Sequence, residues 1–393
     1  MLPAAVAAGP LDDDNLLSEI LYRLPPLPSS LPRASAVCKR WRSLASVPAF
    51  SRRFRLHHRR NPPLLGCFQA DAEGISFEPA LEAPDRVPPG RLSLQSDRGD
   101  LWFRGCRHGL VLVFDQTRLQ FMVWDPVTGH KHYIADPPGL DVTKYMINGA
   151  VVRSSAGDAH FHFQVVLVAI QDGRAVARVY SSETRLWVNL ITTRITSESG
   201  DLFVTYVSME PAVLVGHALY WILSGTWSDI LEFDLERESL AVIPIPVYLS
   251  GVMWPKLMQA NDGKLGILYV SGFTAQLWKR NTDLHGVASW GIGTTIELDK
   301  LLSLDPRDVV IIQGFAEDSQ LVLLKTTTSL FTLKLEPLQF KKLFDTKIRR
   351  CCYPFETVYA AGNIMPLHCR YNKTKLLFDN WLMECLSPPF KLN

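Results

Sequence analysis

Three pairs of adjacent residues carry groups that could do chemistry: His57-His58, Glu317-Asp318 and Cys351-Cys352. Neighbouring histidines could bind a metal, paired carboxylates could transfer protons, and vicinal thiols could form a redox-active disulfide. None of these pairs has the further ligands or partners that such chemistry needs, and the sequence contains no GxSxG, HExxH or GxxxxGK[ST] motif. We therefore expect no catalytic residue, no metal site and no cofactor.

A structural interpretation of each pair is more ordinary. The histidines close a predicted helix, and the carboxylates fall in a predicted loop where charged groups are normally solvated. The two cysteines are expected to be buried as small apolar groups. The chain has seven cysteines with no CxxC spacing, which favours a reduced, intracellular protein of the cytoplasm or nucleus.

The charges of the chain are nearly balanced, with 41 Lys and Arg against 39 Asp and Glu. This balance gives no general reason to expect nucleic acid or an anionic membrane as a partner. No apolar run approaches the roughly 18 residues that span a bilayer. A basic run from Arg33 to Arg60 has nine Lys and Arg and no acidic residue. Binding of nucleic acid by this run remains an alternative, although such charge usually solvates a helix face.

The elements that must position any site change along the chain, and the first sixty residues read as helices. A first helix is predicted from an acidic cap at residues 12–14 to Pro25-Pro26, because its apolar residues recur at helical spacing. A third, short helix is predicted to begin at Pro48 and to place Phe50 and Phe54 one turn apart. The apolar side of the first helix contains Leu16, Leu17, Ile20, Leu21 and Leu24, and that of a second predicted helix contains Leu31, Ala34, Val37, Cys38, Trp41, Leu44 and Ala45.

From residue 64 onward, short runs of Val, Ile, Leu and aromatic residues alternate with polar turns, which is typical of strands and hairpins. A hairpin unit recurs about every fifty residues, the size of a four-stranded propeller blade. About six units are predicted between residues 64 and 360, with the first and last degenerate where a ring closes from both ends. The corresponding positions of the clearer units are Trp124, Tyr180, Phe233, Trp278 and Leu333.

Residues 11–60 resemble the F-box, the helical module by which substrate receptors bind a Skp-type adaptor in cullin-based ubiquitin ligases. The segments "LLSEILYRLPP" and "LPRASAVCKRWRSLASVPAF" carry the motifs of that family in order. The loop "PPLPSSLPRAS" is similar to that of the large plant F-box families, especially those of grasses. The β-rich remainder resembles the propeller-like domains that follow the F-box in such proteins.

The resemblance implies that the first helix binds the adaptor while neighbouring helices present it. The implied adaptor-binding residues are Leu16, Leu17, Ile20, Leu21, Leu24 and Pro25. The residues expected to form the core of the F-box are Leu31, Val37, Cys38, Trp41, Leu44 and Phe50.

The expected fold is therefore multidomain α and β, with a small N-terminal helical F-box module followed by an all-β, propeller-like domain of about six blades. The predicted divisions are a disordered tip at 1–10, the F-box at 11–60, the propeller at 64–360 and a C-terminal closing segment at 361–393.

The resemblance implies a non-catalytic substrate receptor of an SCF-type ubiquitin ligase, which reaches a cullin through the Skp adaptor. The protein substrate and its binding residues are not predicted, although turns around Trp227 and Trp254 are candidates because exposed aromatics anchor interfaces. A propeller enzyme with a helical cap is an alternative. It would require His and carboxylate groups that converge at the central channel with shifted pKa values.

Overall fold

A computed structural model describes residues 13–71, 73–96, 100–153, 162–195, 205–225, 229–246, 255–283, 285–345 and 351–359. The predicted N-terminal tip at 1–10 and the predicted closing segment at 361–393 lie outside these residues.

Four helices form the N-terminal module. Asp13 caps the first helix, because its Oδ1 accepts a hydrogen bond from the backbone N–H of Asn15 at 2.7 Å. The last helix begins at Pro48, as the sequence predicts. The helices are α1 (Asp14–Tyr22), α2 (Ser30–Val37), α3 (Lys39–Ser46) and α4 (Pro48–His57).

The single second helix predicted from the sequence is wrong, since the chain breaks between α2 and α3. Cys38 has φ −160° and ψ 168°, an extended conformation that ends one helix and caps the next. The break turns Val37 and Cys38 outward, so that both are exposed instead of packing with Trp41 and Leu44 in the module core. The sequence did not reveal the break, because the apolar residues of the two short helices follow one another at nearly the spacing of a single helix.

Six antiparallel sheets follow and form a six-bladed β-propeller, as predicted. The first sheet contains β1 (Leu64–Asp71), β2 (Gly74–Pro79) and β3 (Leu94–Gln95), with a short 3-10 helix at Pro89–Leu92. The second contains β4 (Leu101–Arg107), β5 (Leu110–Asp115), β6 (Gln120–Trp124) and β7 (Lys131–Tyr133). The third contains β8 (Asn148–Arg153), β9 (Phe163–Gln171), β10 (Arg174–Ser181), β11 (Leu186–Trp187) and β12 (Ile191–Arg194).

The remaining sheets repeat this order from the inner strand to the outer one. The fourth contains β13 (Tyr206–Val207), β14 (Val213–Val215), β15 (Ala218–Ser224), β16 (Asp229–Asp234) and β17 (Ser239–Pro244). The fifth contains β18 (Lys256–Gln259), β19 (Leu265–Ser271), β20 (Thr274–Thr282) and β21 (Ala288–Glu297), followed by α5 (Leu298–Leu302). The sixth contains β22 (Ile311–Ala316), β23 (Leu321–Lys325), β24 (Ser329–Lys334) and β25 (Gln339–Asp345).

The repeat seen in the sequence corresponds to one position in the blades. Each of its five anchors lies on the third strand of its sheet, counted outward from the channel, and is buried against a neighbouring sheet. Apolar clusters fill the spaces between consecutive sheets, which explains why the middle strands read as nearly continuous apolar runs. The anchors are Trp124 on β6, Tyr180 on β10, Phe233 on β16, Trp278 on β20 and Leu333 on β24.

The ring is closed by β26 (Tyr353–Glu356), which is the innermost strand of the first sheet and pairs antiparallel with β1. The two ends of the propeller therefore share one blade, as expected for a ring closed from both ends. The sixth sheet, which contains the clear unit of Leu333, is complete with four strands, whereas the degenerate first and last units together form the first sheet.

The helical module packs on the end of the propeller where the inner strands finish. The backbone N–H of Ser29 donates to Oδ1 of Asp85, in the connection between β2 and β3, at 2.9 Å. Val358, just after the closing strand, is buried in the same apolar cluster as Leu17, Leu21 and Phe54 of the helices. The core of the module is thus completed by a residue from the far end of the described chain.

The turn between β4 and β5 lies close to this junction. Gly109 in that turn has φ +74°, and a Cβ at this position would overlap the side chain of Thr357. Only glycine fits the left-handed backbone and the close approach of the segment that carries Val358. Within the described ranges, no helix is both long and apolar enough to cross a membrane.

We expect Val358→Asp to unfold the helical module while most of the propeller persists. The substitution would bury an unpaired carboxylate in the core of four short helices, at a cost of several kcal/mol, comparable to the whole stability of so small a module. Hydrogen exchange of the amides in α1 to α4 measures the effect. Val309→Asp is the matched control, because Val309 is 61% exposed; equal protection of the helices in both variants would contradict the role given to Val358.

Candidate functional site

The outward face of α1 presents two apolar side chains to solvent. Leu16 is 50% exposed and Ile20, one helical turn later, is 41% exposed. The Asp13 cap fixes the start of the helix, and an ion pair of 2.7 Å between Asp14 and Arg40 ties it to α3. Because these contacts fix the position of α1, its exposed leucine and isoleucine side chains form a surface suited to an apolar partner.

The opposite face of α1 is core, which divides the predicted contact residues into exposed and buried ones. Leu17 and Leu21 have no exposed surface and pack against α2 to α4. Leu17 and Leu21 lie on one face of α1, and Leu16 and Ile20 lie on another. A partner that contacts the exposed pair therefore does not reach the side chains of the buried pair in this arrangement. An Asp at position 17 would therefore disrupt the module itself.

The other residues named from the sequence occupy intermediate positions. Leu24 is half-buried and Pro25 is exposed beyond the end of α1. Val37 is 63% exposed at the junction of α2 and α3, beside the exposed Cys38. Both add to the exposed part of the module rather than to its core. The predicted core residues that are buried or half-buried are Leu31, Trp41, Leu44 and Phe50.

The basic run is divided among several environments. Arg40 pairs with Asp14, and Nε of Arg42 donates to the backbone oxygen of Ser35 at 3.3 Å. Arg55 is largely buried at the junction with the propeller, where desolvation lowers its pKa and the charge of Asp125 opposes that effect. These arginines serve the folding and docking of the module, although others in the run are exposed.

The central channel of the propeller contains a buried ion pair that the sequence did not reveal. Nε and Nη2 of Arg107, at the end of β4, each donate to the carboxylate of Glu317 at 2.6 Å. The same guanidinium donates to the backbone oxygen of Ala212, and Glu317 accepts from the backbone N–H of Leu214. These bonds join the second, fourth and sixth sheets across the axis of the ring.

A second carboxylate joins the first and sixth sheets. Glu356, on the closing strand, accepts hydrogen bonds from the backbone N–H groups of Asp318 at 2.9 Å and Ser319 at 2.8 Å. Burial, together with the charges of Glu356 and Glu317, raises the pKa of Asp318 to about 7. The expectation that Glu317 and Asp318 are ordinary solvated loop charges is therefore wrong.

Carboxylates and a histidine do converge at the channel with shifted pKa values, which is the condition set for the enzyme alternative. His108 is also there, and burial lowers its pKa to about 4. The cavity beside these groups has a volume of about 80 Å³, and its walls include Cys106, whose thiol donates to the backbone oxygen of Pro354 at 2.9 Å. Glu317 and Glu356 are already engaged in bonds between sheets, so the arrangement braces the ring. Sequence reasoning missed it because its members lie more than two hundred residues apart.

The other reactive pairs have separate environments. Nε2 of His58 lies 2.8 Å from the backbone oxygen of Tyr22, which links the end of α4 to α1. Cys352 is buried beside Cys67 in an apolar cluster, as expected, whereas Cys351 is exposed. No group of three potential metal ligands occurs within the described part of the chain. The substrate candidates Trp227 and Trp254 lie outside the described residues.

Comparison with known families gives two matches that divide the chain as the fold does. Residues 102–361 match the model described as "F-box protein AT5G49610-like, beta-propeller", and residues 14–57 match the model described as "F-box-like". The first match covers all the sheets after the first one and includes the closing strand. The second covers the four helices of the module.

Two curated relatives come from Arabidopsis thaliana. F-box/kelch-repeat protein At3g61590 is 24% identical over 253 residues, which are 61% of this chain and only 57% of that protein. F-box protein At5g07610 is 22% identical over 322 residues, or 75% of this chain and 73% of that protein. Among solved structures, a putative 6-phosphogluconolactonase from Bacteroides fragilis has 11% identity and a TM-score of 0.37, covering 74% of this chain and 98% of the other.

We expect Asp318→Asn to reduce the loss of stability that occurs as the pH rises from about 4 to 7. The raised pKa of Asp318 means that the folded protein retains a proton that the unfolded chain has already released, so this contribution to stability is present at low pH and lost as the pH passes about 7. The effect is on the order of a few kcal/mol. Urea unfolding at pH 5 and pH 8 measures it. Asp172→Asn, at an exposed turn, is the control, and the same pH slope in both variants would contradict the assignment.

Proposed function

Because the chain belongs to the F-box proteins with an AT5G49610-like β-propeller, we propose that it is the substrate-recognition subunit of an SCF-type ubiquitin ligase. The F-box binds a Skp-family adaptor and, through it, a cullin, while the propeller holds a protein substrate. The observation that carries the proposal is the pair of exposed apolar residues, Leu16 and Ile20, on a helix that is fixed to one end of the propeller.

The positions of the two parts support this division of labour. The helices pack where the inner strands of the propeller finish, so within the described residues the end where those strands begin is free of the N-terminal helices and available to a substrate. A substrate held there would be kept at a fixed separation from the adaptor. Ubiquitin transfer would then be accelerated by proximity, with no bond chemistry by residues of this chain.

The adaptor would contact a smaller set of residues than the sequence suggests. Leu16 and Ile20 form its centre, and Pro25 and Val37 are further exposed apolar residues of the module. Leu17 and Leu21 act indirectly, because they anchor α1 to the module core. Burial of the exposed leucine and isoleucine in an interface would stabilise the complex by about 1.5–3 kcal/mol for each fully buried side chain.

We expect Leu16→Asp and Ile20→Asp each to abolish capture of a purified Skp-family adaptor. A carboxylate at the centre of the interface must lose its hydration without gaining a partner, which weakens binding by several kcal/mol. Pull-down with the full chain measures adaptor capture, and circular dichroism checks that the helices remain folded. Leu186→Asp is the matched control, since Leu186 is 67% exposed on the propeller.

Equal adaptor capture by wild type, Leu16→Asp and Ile20→Asp would show that the helices are merely a cap and would overturn the ligase proposal. The nucleic-acid alternative has a different signature, because its affinity would fall steeply with added salt and would depend on the exposed arginines of the basic run.

A further inference from the structure

Arg104, in the middle of β4, is a buried cation without a counter-ion. Arg104 is only 5% exposed, and its Nε is buried with no hydrogen-bond partner. Among the described residues, none accepts a hydrogen bond from its guanidinium or forms an ion pair with it. Burial lowers the pKa of Arg104 to about 10, so the group remains charged at neutral pH.

Arg107, which is buried, and two half-buried arginines of the propeller do have acceptors. Arg107 pairs with Glu317, Nη1 of Arg178 donates to the backbone oxygen of Val188 at 2.8 Å, and Nε of Arg153 donates to the backbone oxygen of His108 at 2.7 Å. A guanidinium removed from water without a partner is strongly destabilising, and proteins normally avoid it. Arg104 is therefore an exception among the described residues, and an acceptor on a bound partner would complete its hydrogen bonds.

Two aromatic side chains flank the guanidinium. Its Cζ lies 5.0 Å from the ring centroid of Trp102 and 5.9 Å from that of Phe114. Trp102 is 44% exposed and lies near the start of β4. The start of β4 is at the end of the propeller that is remote from the helices. Rings of this kind hold a cation by its face and leave its N–H groups free to meet an anion.

Other exposed apolar side chains lie at the same end of the propeller. Met146 precedes β8, Tyr206 begins β13 and Val309 precedes β22, and all three are exposed. These residues lie at the starts of inner strands of the third, fourth and sixth sheets, around the channel. A cation set among exposed aromatic and apolar groups is the pattern of a site for a protein segment, whereas nucleic acid would require a stripe of several basic residues.

We propose that Arg104 and Trp102 form the substrate-recognition site, where the guanidinium pairs with an acidic side chain, a carboxylate or a phosphorylated hydroxyl, of a protein segment that packs against the indole. This inference rests on the proposed function, because it names the substrate class for the open end of the propeller. A planar guanidinium matches both kinds of oxyanion through two parallel hydrogen bonds. Pairing there would supply the hydrogen bonds that Arg104 lacks.

The test uses the full chain and arrays of 12-residue peptides with randomised flanks and a fixed central residue. Four arrays carry Glu, Gln, phosphoserine or Ser at the centre, so that each acidic residue has a neutral partner. We expect wild type to retain Glu or phosphoserine peptides at least tenfold better than their neutral partners, and the better of the two identifies the source of the anion.

The variants are Arg104→Met, Trp102→Ala and Arg118→Met. Arg104→Met should lose the acidic preference while its Tm stays the same or rises, because a flexible apolar side chain replaces an unpaired buried charge. Trp102→Ala should weaken binding of all peptides that wild type retains. Arg118→Met is the matched control, since Arg118 is an exposed arginine in the β5–β6 turn of the same sheet, and it should leave selection unchanged.

The proposal is overturned if wild type shows no acidic preference, if Arg104→Met keeps that preference, or if Arg118→Met loses it to the same extent. A clear fall in the Tm of Arg104→Met would also overturn it, because a purely structural arginine stabilises the fold. Adaptor capture is measured in parallel. Retained capture by Arg104→Met separates failure of this site from failure of the proposed function, which depends on Leu16 and Ile20.

Discussion

The pairing of β26 with β1 is the interaction on which the rest of the molecule depends. It converts an open row of six sheets into a ring. The backbone groups on the inner edge of β1 gain hydrogen-bond partners, and β26 supplies the innermost strand of the first sheet. Among the described residues, the contact between the sixth and first sheets also has the smallest apolar clusters. The space between the sixth and first sheets is filled by two small clusters, whereas larger ones separate the other neighbours.

Hydrogen bonds compensate for the small apolar contact between the sixth and first sheets. Glu356 holds the backbone of the turn after β22, and the backbone N–H of Cys352 donates to Oε1 of Gln313 at 2.9 Å. Arg107 and Glu317 then join sheets that are not neighbours in the ring. Because such groups are expensive to bury unless their bonds are complete, they favour one register of closure over slipped alternatives. The channel thus contributes to the specificity of the fold.

The sequence predicted what depends on local pattern. Repetition of the third-strand anchors gave the six blades, and the apolar residues of α1 gave a helix with an apolar surface. Helical spacing could not separate Leu16 and Ile20, which are exposed, from Leu17 and Leu21, which are core, because both faces of α1 are apolar. The break at Cys38 was missed for a similar reason. Contacts between distant segments, such as Arg107 with Glu317, leave no local signal, and neither does the absence of a partner for Arg104.

The place of Val358 in the helical core has a consequence for biosynthesis. The four helices emerge from the ribosome before the propeller, yet the side chain that completes their core is translated about three hundred residues later. A nascent or prematurely terminated chain would expose α1 to α4 with an unfilled core and, without β26, an unclosed ring. Completion of the helical core is therefore coupled to synthesis of the chain through the closing strand.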